Sequence, residues 1–183
     1  MAPLPAFRLL ILACSATKRD GPAYMPAIER YDGPLWRTLR AVDPHGEKAK
    51  VAFLSAHLGF REASMPIETY DARMTKEMAA AMKAGNLGTR WPRPKTHRRV
   101  MPAGEHPGMH IYSLCGCSRK RVFHDVALAG GHLYLEVMRH LVWLFREGGY
   151  VAGEARITEI NGPIGMMRRD LRLWLEGNDG EGR

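Results

Sequence analysis

Residues 8–13 read RLLILA, and they run directly into residues 14–19, which read CSATKR. A short, almost wholly apolar run that ends in a polar turn is typical of a strand buried on both faces of a parallel sheet. Three further segments have the same character, at residues 50–55, 109–114 and 155–160. We therefore predict four buried strands.

Amphipathic helical patterns separate these strands. The first follows Pro34, which suits the first position of a helix. The second repeats methionine every four residues over 74–82, behind Asp71 as the predicted N-cap. An apolar stripe over 134–145 predicts the third helix, and the last follows Pro163.

Strands that alternate with helices predict a parallel sheet with right-handed crossovers. The expected fold is an α/β protein, a three-layer α/β/α sandwich with a short, mainly parallel four-stranded sheet. We expect a single domain over residues 1–176, a basic, proline-rich loop insertion at 85–108 and a disordered tail at 177–183.

The composition is that of an ordinary globular protein, with 45% hydrophobic and 25% charged residues. The apolar run near the start is too short for a signal-peptide core, so we expect a cytoplasmic protein without a membrane partner. Cys14, Cys115 and Cys117 lack the spacing of a disulfide framework or a zinc site. We predict no metal, no cofactor and no obligate protein partner. The net charge of +8 favours DNA or a nucleotide as the partner.

In open parallel sheets, ligands bind beyond the carboxyl ends of the strands. The turn after the first strand supplies hydroxyls and cations that can hold a phosphate or a polar base edge. We take Lys18 as a candidate catalytic residue. The candidate substrate-binding residues of this turn are Cys14, Ser15 and Thr17.

The second strand leads to two carboxylates that flank an aromatic ring. Glu68 and Asp71 are candidate catalytic groups that can orient a water, bind a base edge or stabilise positive charge, and Tyr70 can stack on a base. The alternative is that Asp71 only caps its helix and Tyr70 only packs. The other candidate substrate-binding residues here are Ser55, His57 and Gly59; His57 is either a base or, as Leu58 and Phe60 favour, a core histidine.

The fourth strand ends in a glycine-containing turn before a helix. Asn161, Gly162 and Gly165 are candidate substrate-binding residues, because glycines let backbone amides approach a ligand and a helix N-terminus favours an anion. Arginines follow on the helix and crowd the basic loop. The candidate nucleic-acid-binding residues are Arg90, Trp91, Arg93, Lys95, Arg98, Arg99, Arg168, Arg169 and Arg172.

Several of these segments resemble the signatures of the YaaA-like peroxide-stress superfamily and its small phage and actinobacterial relatives. They are residues 11–20 (ILACSATKRD), 31–36 (YDGPLW), 54–60 (LSAHLGF), 66–74 (PIETYDARM), 130–134 (GGHLY) and 160–175 (INGPIGMMRRDLRLWL). A more distant likeness is to the archaeosine synthase domain with its uracil-DNA-glycosylase-like fold.

This resemblance implies a fold associated with DNA or nucleobases. Cys14, Ser15 and Lys18 match the first signature. The residues that match the second signature are Ser55, Gly59, Glu68, Tyr70 and Asp71. Ala16 and Thr17 stand where archaeosine synthase has a lysine-proline-tyrosine run, so its amino-acid transfer chemistry is not carried over.

Two functions are consistent with the sequence. The first is an enzyme that acts on a base or its N-glycosidic bond in DNA modification or repair: Tyr70 or Trp36 would stack the base, Lys18 would hold a phosphate, and Asp71 or Glu68 would steer water. The alternative is a non-catalytic DNA-binding protein for stress protection, which would use the arginines against phosphates.

Overall fold

The computed structural model describes residues 7–92, 105–117 and 121–177. Its elements follow one another along the chain as β1 (Arg8–Ala13), β2 (Met25–Pro26), α1 (Ala27–Arg30), α2 (Pro34–Val42), β3 (Lys50–Ser55), β4 (Gly59–Glu62), β5 (Pro66–Ile67), α3 (Lys76–Lys83), α4 (Pro107–Leu114), β6 (Phe123–Ala129), α5 (His132–Glu147), β7 (Val151–Ile160) and α6 (Ile164–Glu176).

The main sheet has the strand order β4-β3-β1-β6-β7. The pairs β3–β1, β1–β6 and β6–β7 are parallel, and the edge strand β4 is antiparallel to β3. A mainly parallel α/β sheet is therefore confirmed, with five strands instead of the four predicted. The short strands β2 and β5 form a separate antiparallel pair.

Side chains of β1 alternate between two apolar cores, as successive residues of a strand must. Leu9 and Ile11 pack with α3, α4 and α5. Leu10 and Leu12 pack with α2 and α6 on the opposite face of the sheet. Helices therefore cover both faces, and the predicted three-layer arrangement is confirmed.

The predicted strand over residues 109–114 is wrong, because this segment belongs to helix α4. His106 caps the helix, with Nδ1 3.2 Å from the amide nitrogen of Met109, and Pro107 occupies the first turn. The buried residues are His110, Ile111 and Leu114, which have the three-and-four spacing of a helix face. Helix α4 also shortens the predicted loop insertion, which ends before Pro107.

The strand that takes its place is β6, which the sequence prediction missed. His124 and Asp125 interrupt its apolar run, yet Asp125 is buried. A buried carboxylate needs a partner, and Arg8 and Arg156 both donate to it.

The predicted cap of the second helical pattern, the methionine repeat over 74–82, is also wrong. Helix α3 begins at Lys76, and the hydroxyl of Thr75 accepts from the amide of Met78 at 3.2 Å. Asp71 therefore lies in the loop before the helix and does not cap it. The predicted helices after Pro34, over 134–145 and after Pro163 are confirmed as α2, α5 and α6.

Helix α6 ends at Gly177, whose φ of 73° is the left-handed conformation that glycine adopts most readily. The rest of the predicted tail, residues 178–183, lies outside the described residues. Within the described part of the chain, no helix combines the length and the apolar character needed to cross a membrane.

Candidate active site

The carboxyl ends of β1, β3, β6 and β7 share one edge of the sheet, because these strands are parallel. The chain leaves β1 at Cys14, whose amide donates to Leu54 of β3 at 2.9 Å. The following turn is fixed by backbone bonds from Arg19 to Arg30 (2.8 Å) and from Asp32 to Thr17 (2.9 Å). These contacts hold residues 14–19 beside the end of β3.

Buried Arg30 holds the outer part of the same connection. Its guanidinium donates to the carbonyls of Arg19 at 2.9 Å, of Ala23 at 3.2 Å and of Pro22. Removing this guanidinium would be costly, because the buried carbonyls would then lack hydrogen-bond donors. The turn that carries Lys18 is therefore a rigid part of the fold.

Lys18 lies over an aromatic ring at this edge. Its Nζ is 4.3 Å from the ring centroid of Tyr70 and donates to the carbonyl of Ser15 at 3.0 Å. Partial burial lowers the pKa of Lys18, and electrostatic interactions with Cys14 and Asp71 oppose that shift. The structure thus brings Lys18, Tyr70, Cys14 and Asp71 together, as the sequence predicted.

Tyr70 is held by a hydrogen-bonded chain. Its hydroxyl lies 2.7 Å from Ser55 Oγ and also contacts the hydroxyl of Tyr31. Ser55 Oγ already accepts from the amides of His57 and Leu58, each at 3.1 Å. Because both Ser55 lone pairs are used, its hydroxyl donates to Tyr70. Burial raises the pKa of Tyr31 and Tyr70, so both phenols are neutral donors at pH 7.

Cys14 faces two phenols. Its Sγ lies 3.3 Å from the hydroxyl of Tyr134, and it also interacts with Tyr70, whose pKa it raises after burial. Burial, followed by the electrostatic interaction with Cys14, raises the pKa of Tyr134. Tyr134 comes from the first turn of α5, where a close approach of Gly130 to Ala13 brings the helix against β1: a Cβ on Gly130 would lie 2.8 Å from that of Ala13.

Tyr31 and Tyr134 are the site residues that sequence reasoning missed. Tyr31 lies in the segment 31–36 and carries no predicted role, and Tyr134 belongs to the apolar stripe of α5, which predicts packing only. The feature that could have identified them is a tyrosine near the end of a helix or strand, because there the ring can pack in the core while the hydroxyl reaches polar groups.

The predictions for His57 and Trp36 need correction. His57 is exposed, so the core interpretation is wrong; its ring lies 4.8 Å from that of Tyr70. Trp36 is buried, and its Nε1 donates to the carbonyl of Ala13 at 3.0 Å. Trp36 therefore supports the end of β1 and does not offer a face for a base.

The two predicted catalytic carboxylates interact with different residues. Asp71 opposes the lowering of the Lys18 pKa, whereas Glu68 is exposed and interacts with Tyr24. Hydrogen bonding to Glu68, and then its carboxylate charge, raise the pKa of Tyr24. Ser15 contributes its carbonyl to Lys18, and its Oγ packs against Gly33, while Thr17 is exposed.

The turn after β7 joins the same edge through one side chain. Asn161 Nδ2 donates to the carbonyl of Gly130 at 2.7 Å. Gly162 is exposed with a φ of 120°, a conformation suited to glycine. Among the described residues, the hydrogen bonds and ring contacts of Lys18 and Tyr70 do not include Gly162, and the convergence of all three segments stays a prediction.

The arginines of α6 form a separate surface. Arg168 Nε donates to Thr38 of α2 at 3.2 Å, and Arg169 pairs with Asp170. With Gly165 and Arg172, these arginines line an open depression of about 260 Å³. This surface lies on the α2 and α6 side of the sheet.

The described part of the basic loop packs on the protein. Trp91 Nε1 donates to the carbonyl of Ala56 at 2.7 Å, and Arg90 pairs with Glu105. Trp91 covers Gly59, where an added Cβ would lie 2.9 Å from the Cβ of Trp91. Four predicted nucleic-acid-binding residues lie outside the described residues, namely Arg93, Lys95, Arg98 and Arg99.

The remaining thiols lie away from this cluster. Cys115 is buried, which raises its pKa to about 11, and Cys117 is exposed. Among the residues that the structure describes, no group of three or more histidine, cysteine or acidic side chains is arranged to hold a metal ion. The chain matches no protein-family model, no curated protein and no solved structure.

Proposed function

We propose that this protein is a nucleobase- or nucleotide-directed enzyme that acts on a base or its N-glycosidic bond, in DNA modification or repair. One observation carries the proposal: the Lys18 ammonium lies over the ring of Tyr70, the residue that precedes Asp71, at the carboxyl end of a parallel sheet. Ligands of such sheets bind at this end. A cation, a ring and a carboxylate are what a phosphorylated, ring-bearing substrate requires.

Each group has a role in this proposal. Lys18 holds a phosphate as a point charge, and Tyr70 borders the base. The Ser55 hydroxyl and the Tyr31 hydroxyl hold the Tyr70 phenol in place, so these two residues position it. Asp71 is exposed and free to face the sugar. The proposed partner is DNA or a nucleotide, and the proposed location is the cytoplasm.

The proposed reaction is hydrolysis of the bond between the base and C1′ of the sugar. As this bond breaks, its electron pair leaves with the base and positive charge develops on C1′, which the Asp71 carboxylate stabilises. Water adds to C1′ and gives one proton to Asp71, which releases it to solvent, and the departing base takes up one proton from solvent, so that one water is consumed in all. The products are a free base and a sugar that carries a hydroxyl group at C1′.

The segments that resemble YaaA-like signatures support the same proposal. The two that hold Lys18 and Tyr70, residues 11–20 and 66–74, lie in contact at this site. The chain's place in that superfamily is part of the proposal.

Asp71→Asn tests this function. The protein is incubated with nucleosides, nucleotides, single- and double-stranded DNA and RNA, and free base is measured by chromatography. Loss of the carboxylate should lower base release at least about 100-fold, the usual scale of acid–base catalysis. The control is Asp170→Asn on α6, whose carboxylate pairs with the neighbouring Arg169. No base release from any substrate, or an unchanged rate in the Asp71 variant, would remove the proposed chemistry.

A second function is favoured by the arginine surface of α6. Arg168, Arg169 and Arg172 line an open depression that suits a phosphate backbone more than a buried small molecule. On this alternative, the protein binds DNA without catalysis and protects it under stress. Its test is a gel shift at two salt concentrations, and no shift even at low salt would exclude it.

A further inference from the structure

A hollow of about 150 Å³ lies on the side of Tyr70 that includes His57. It is smaller than the roughly 300–1,000 Å³ of pockets for drug-sized ligands, so it suits a single ring system. Its walls include Tyr24, His57, Arg61, Glu68 and Tyr70. The sequence prediction did not include Tyr24 or Arg61.

The aromatic walls favour a flat guest. The rings of His57 and Tyr70 lie 4.8 Å apart and are tilted by 30°. Tyr24 is 63% exposed, although it lines the hollow. A base that stacks here would cover this aromatic surface, and stacking favours binding whichever base is present.

The polar walls add an acceptor and a donor. Glu68 lines the hollow, and a carboxylate has about four lone-pair sites, so it can accept hydrogen bonds from a guest. Arg61 Nε donates to the carbonyl of Leu58 at 3.0 Å, and a guanidinium carries five donors. Burial lowers the pKa of Arg61, but an arginine in a protein keeps its charge.

We infer that this hollow is the base subsite and that it takes a nucleobase with an exocyclic amino group, which donates to Glu68, and a ring acceptor or carbonyl that faces Arg61. The inference rests on the proposed function, since it takes the guest to be a nucleobase. Relative to guanine, hypoxanthine lacks the amino group altogether; uracil and thymine place a carbonyl where cytosine has its amino group, and hypoxanthine does the same relative to adenine. That carbonyl would face a carboxylate without a hydrogen bond between them, which is the costly arrangement for desolvated polar groups.

The experiment measures binding by calorimetry with nucleotide pairs that differ at this group. The pairs are cytidine and uridine monophosphate, guanosine and inosine monophosphate, and adenosine and inosine monophosphate. In the pair that fits the hollow, the amino-bearing member should bind at least about tenfold more tightly, because a hydrogen bond to a charged group is at stake. Equal affinity within every pair, or no binding of any of these nucleotides, would overturn the inference.

Glu68→Gln provides the second arm. Glu68 is exposed, so the variant should fold, and thermal unfolding checks this. A glutamine amide both donates and accepts, so the preference should fall below about threefold. Glu154→Gln, an 81% exposed carboxylate of β7, should keep it. A preference that survives Glu68→Gln would overturn the assignment.

The two proposals fail in different ways. Amino selectivity without release of free base would keep the base subsite and remove the proposed reaction. Release of free base without amino selectivity would keep the reaction and overturn the subsite.

Discussion

Lys18 Nζ lies 4.3 Å from the centroid of the Tyr70 ring, where the carboxyl ends of β1 and β3 meet. A ring face attracts an ammonium but does not neutralise it as a bonded carboxylate would. The Lys18 side chain is therefore fixed in position while much of its charge stays available to an anionic guest. This arrangement distinguishes Lys18 from the lysines and arginines that are paired elsewhere, such as Lys83 with Glu136.

Lys18→Met should remove the advantage of a phosphate group. The wild-type protein is expected to bind a nucleoside monophosphate at least about tenfold more tightly than the same nucleoside, because the ammonium makes a charge-assisted hydrogen bond to the phosphate. In the variant the two affinities should agree within about threefold. Calorimetry measures both.

Lys76→Met on α3 is the matched control, because Lys76 is an exposed lysine and should not alter the phosphate preference. If Lys18→Met keeps the full preference for the monophosphate, the phosphate lies elsewhere.

Ser55→Ala and Tyr70→Phe should each destabilise the fold by about 1–3 kcal/mol, because each leaves buried polar partners unsatisfied. Ser55 is fully buried and its hydroxyl donates to Tyr70. The double variant should lose less than the sum of the two, since both changes break the same hydrogen bond. Urea unfolding of the four proteins gives the coupling.

Tyr24→Phe removes an exposed phenol hydroxyl and should cost no more than about 0.5 kcal/mol. Strict additivity of the Ser55 and Tyr70 changes would mean that the hydrogen bond between them contributes nothing.

The sequence predicted those parts of the fold that depend on local pattern. β1 and β3 are uninterrupted apolar runs, and α5 has a long apolar stripe, so a short stretch of sequence is enough to predict each of them. β6 cannot be predicted in this way, because Asp125 is stable in its interior only through partners that are distant in sequence. Helix α4 was mistaken for a strand because it is short and apolar, although Pro107 marked its first turn.

The site was predictable to the extent that topology determines it. Lys18 follows β1 and Ser55 ends the neighbouring parallel strand β3, so the rule that ligands bind at carboxyl ends predicts this edge of the sheet. Tyr70 comes after β5 and reaches the same edge through its hydrogen bond to Ser55. The rule does not reveal which tyrosines turn a hydroxyl toward Cys14 or Ser55. That depends on how closely α5 approaches β1 at Gly130, which is a property of packing between distant segments.

Asp125→Asn should destabilise the protein by about 3 kcal/mol at neutral pH. The Asp125 side chain is 5% exposed and accepts from Arg8 at 2.9 Å, Arg156 at 2.7 Å and Trp174 at 3.1 Å. Removing one partner of a buried ion pair leaves the other charge uncompensated, here the guanidinium of Arg8. Asp32→Asn, which breaks the more exposed pair with Arg40, should cost less than about 1 kcal/mol.

The same carboxylate gives the protein an acid-sensitive component of stability. Burial alone would raise the pKa of Asp125, but the hydrogen bonds from Arg156, Trp174 and Arg8 outweigh it and lower the pKa. A depressed pKa contributes stability above the unfolded value of about 3.9 and loses it as the pH falls through the folded value. The difference between wild type and Asp125→Asn in urea unfolding should therefore shrink as the pH is lowered below the unfolded value, and a constant difference would contradict this.

The arginine surface of α6 decides between the two proposed modes of nucleic-acid recognition. If the DNA backbone lies against Arg169 and Arg172, binding releases counterions, and the logarithm of the affinity falls linearly with the logarithm of salt concentration. Each lost phosphate contact reduces that slope by about one. Arg169→Ala with Arg172→Ala should thus flatten the slope by about two in fluorescence anisotropy with labelled duplex DNA. Lys76→Ala, on the opposite face of the sheet, should leave it unchanged. An unaltered slope in the double variant would mean that α6 does not face the DNA, and any nucleic acid would then have to reach Lys18 from another direction.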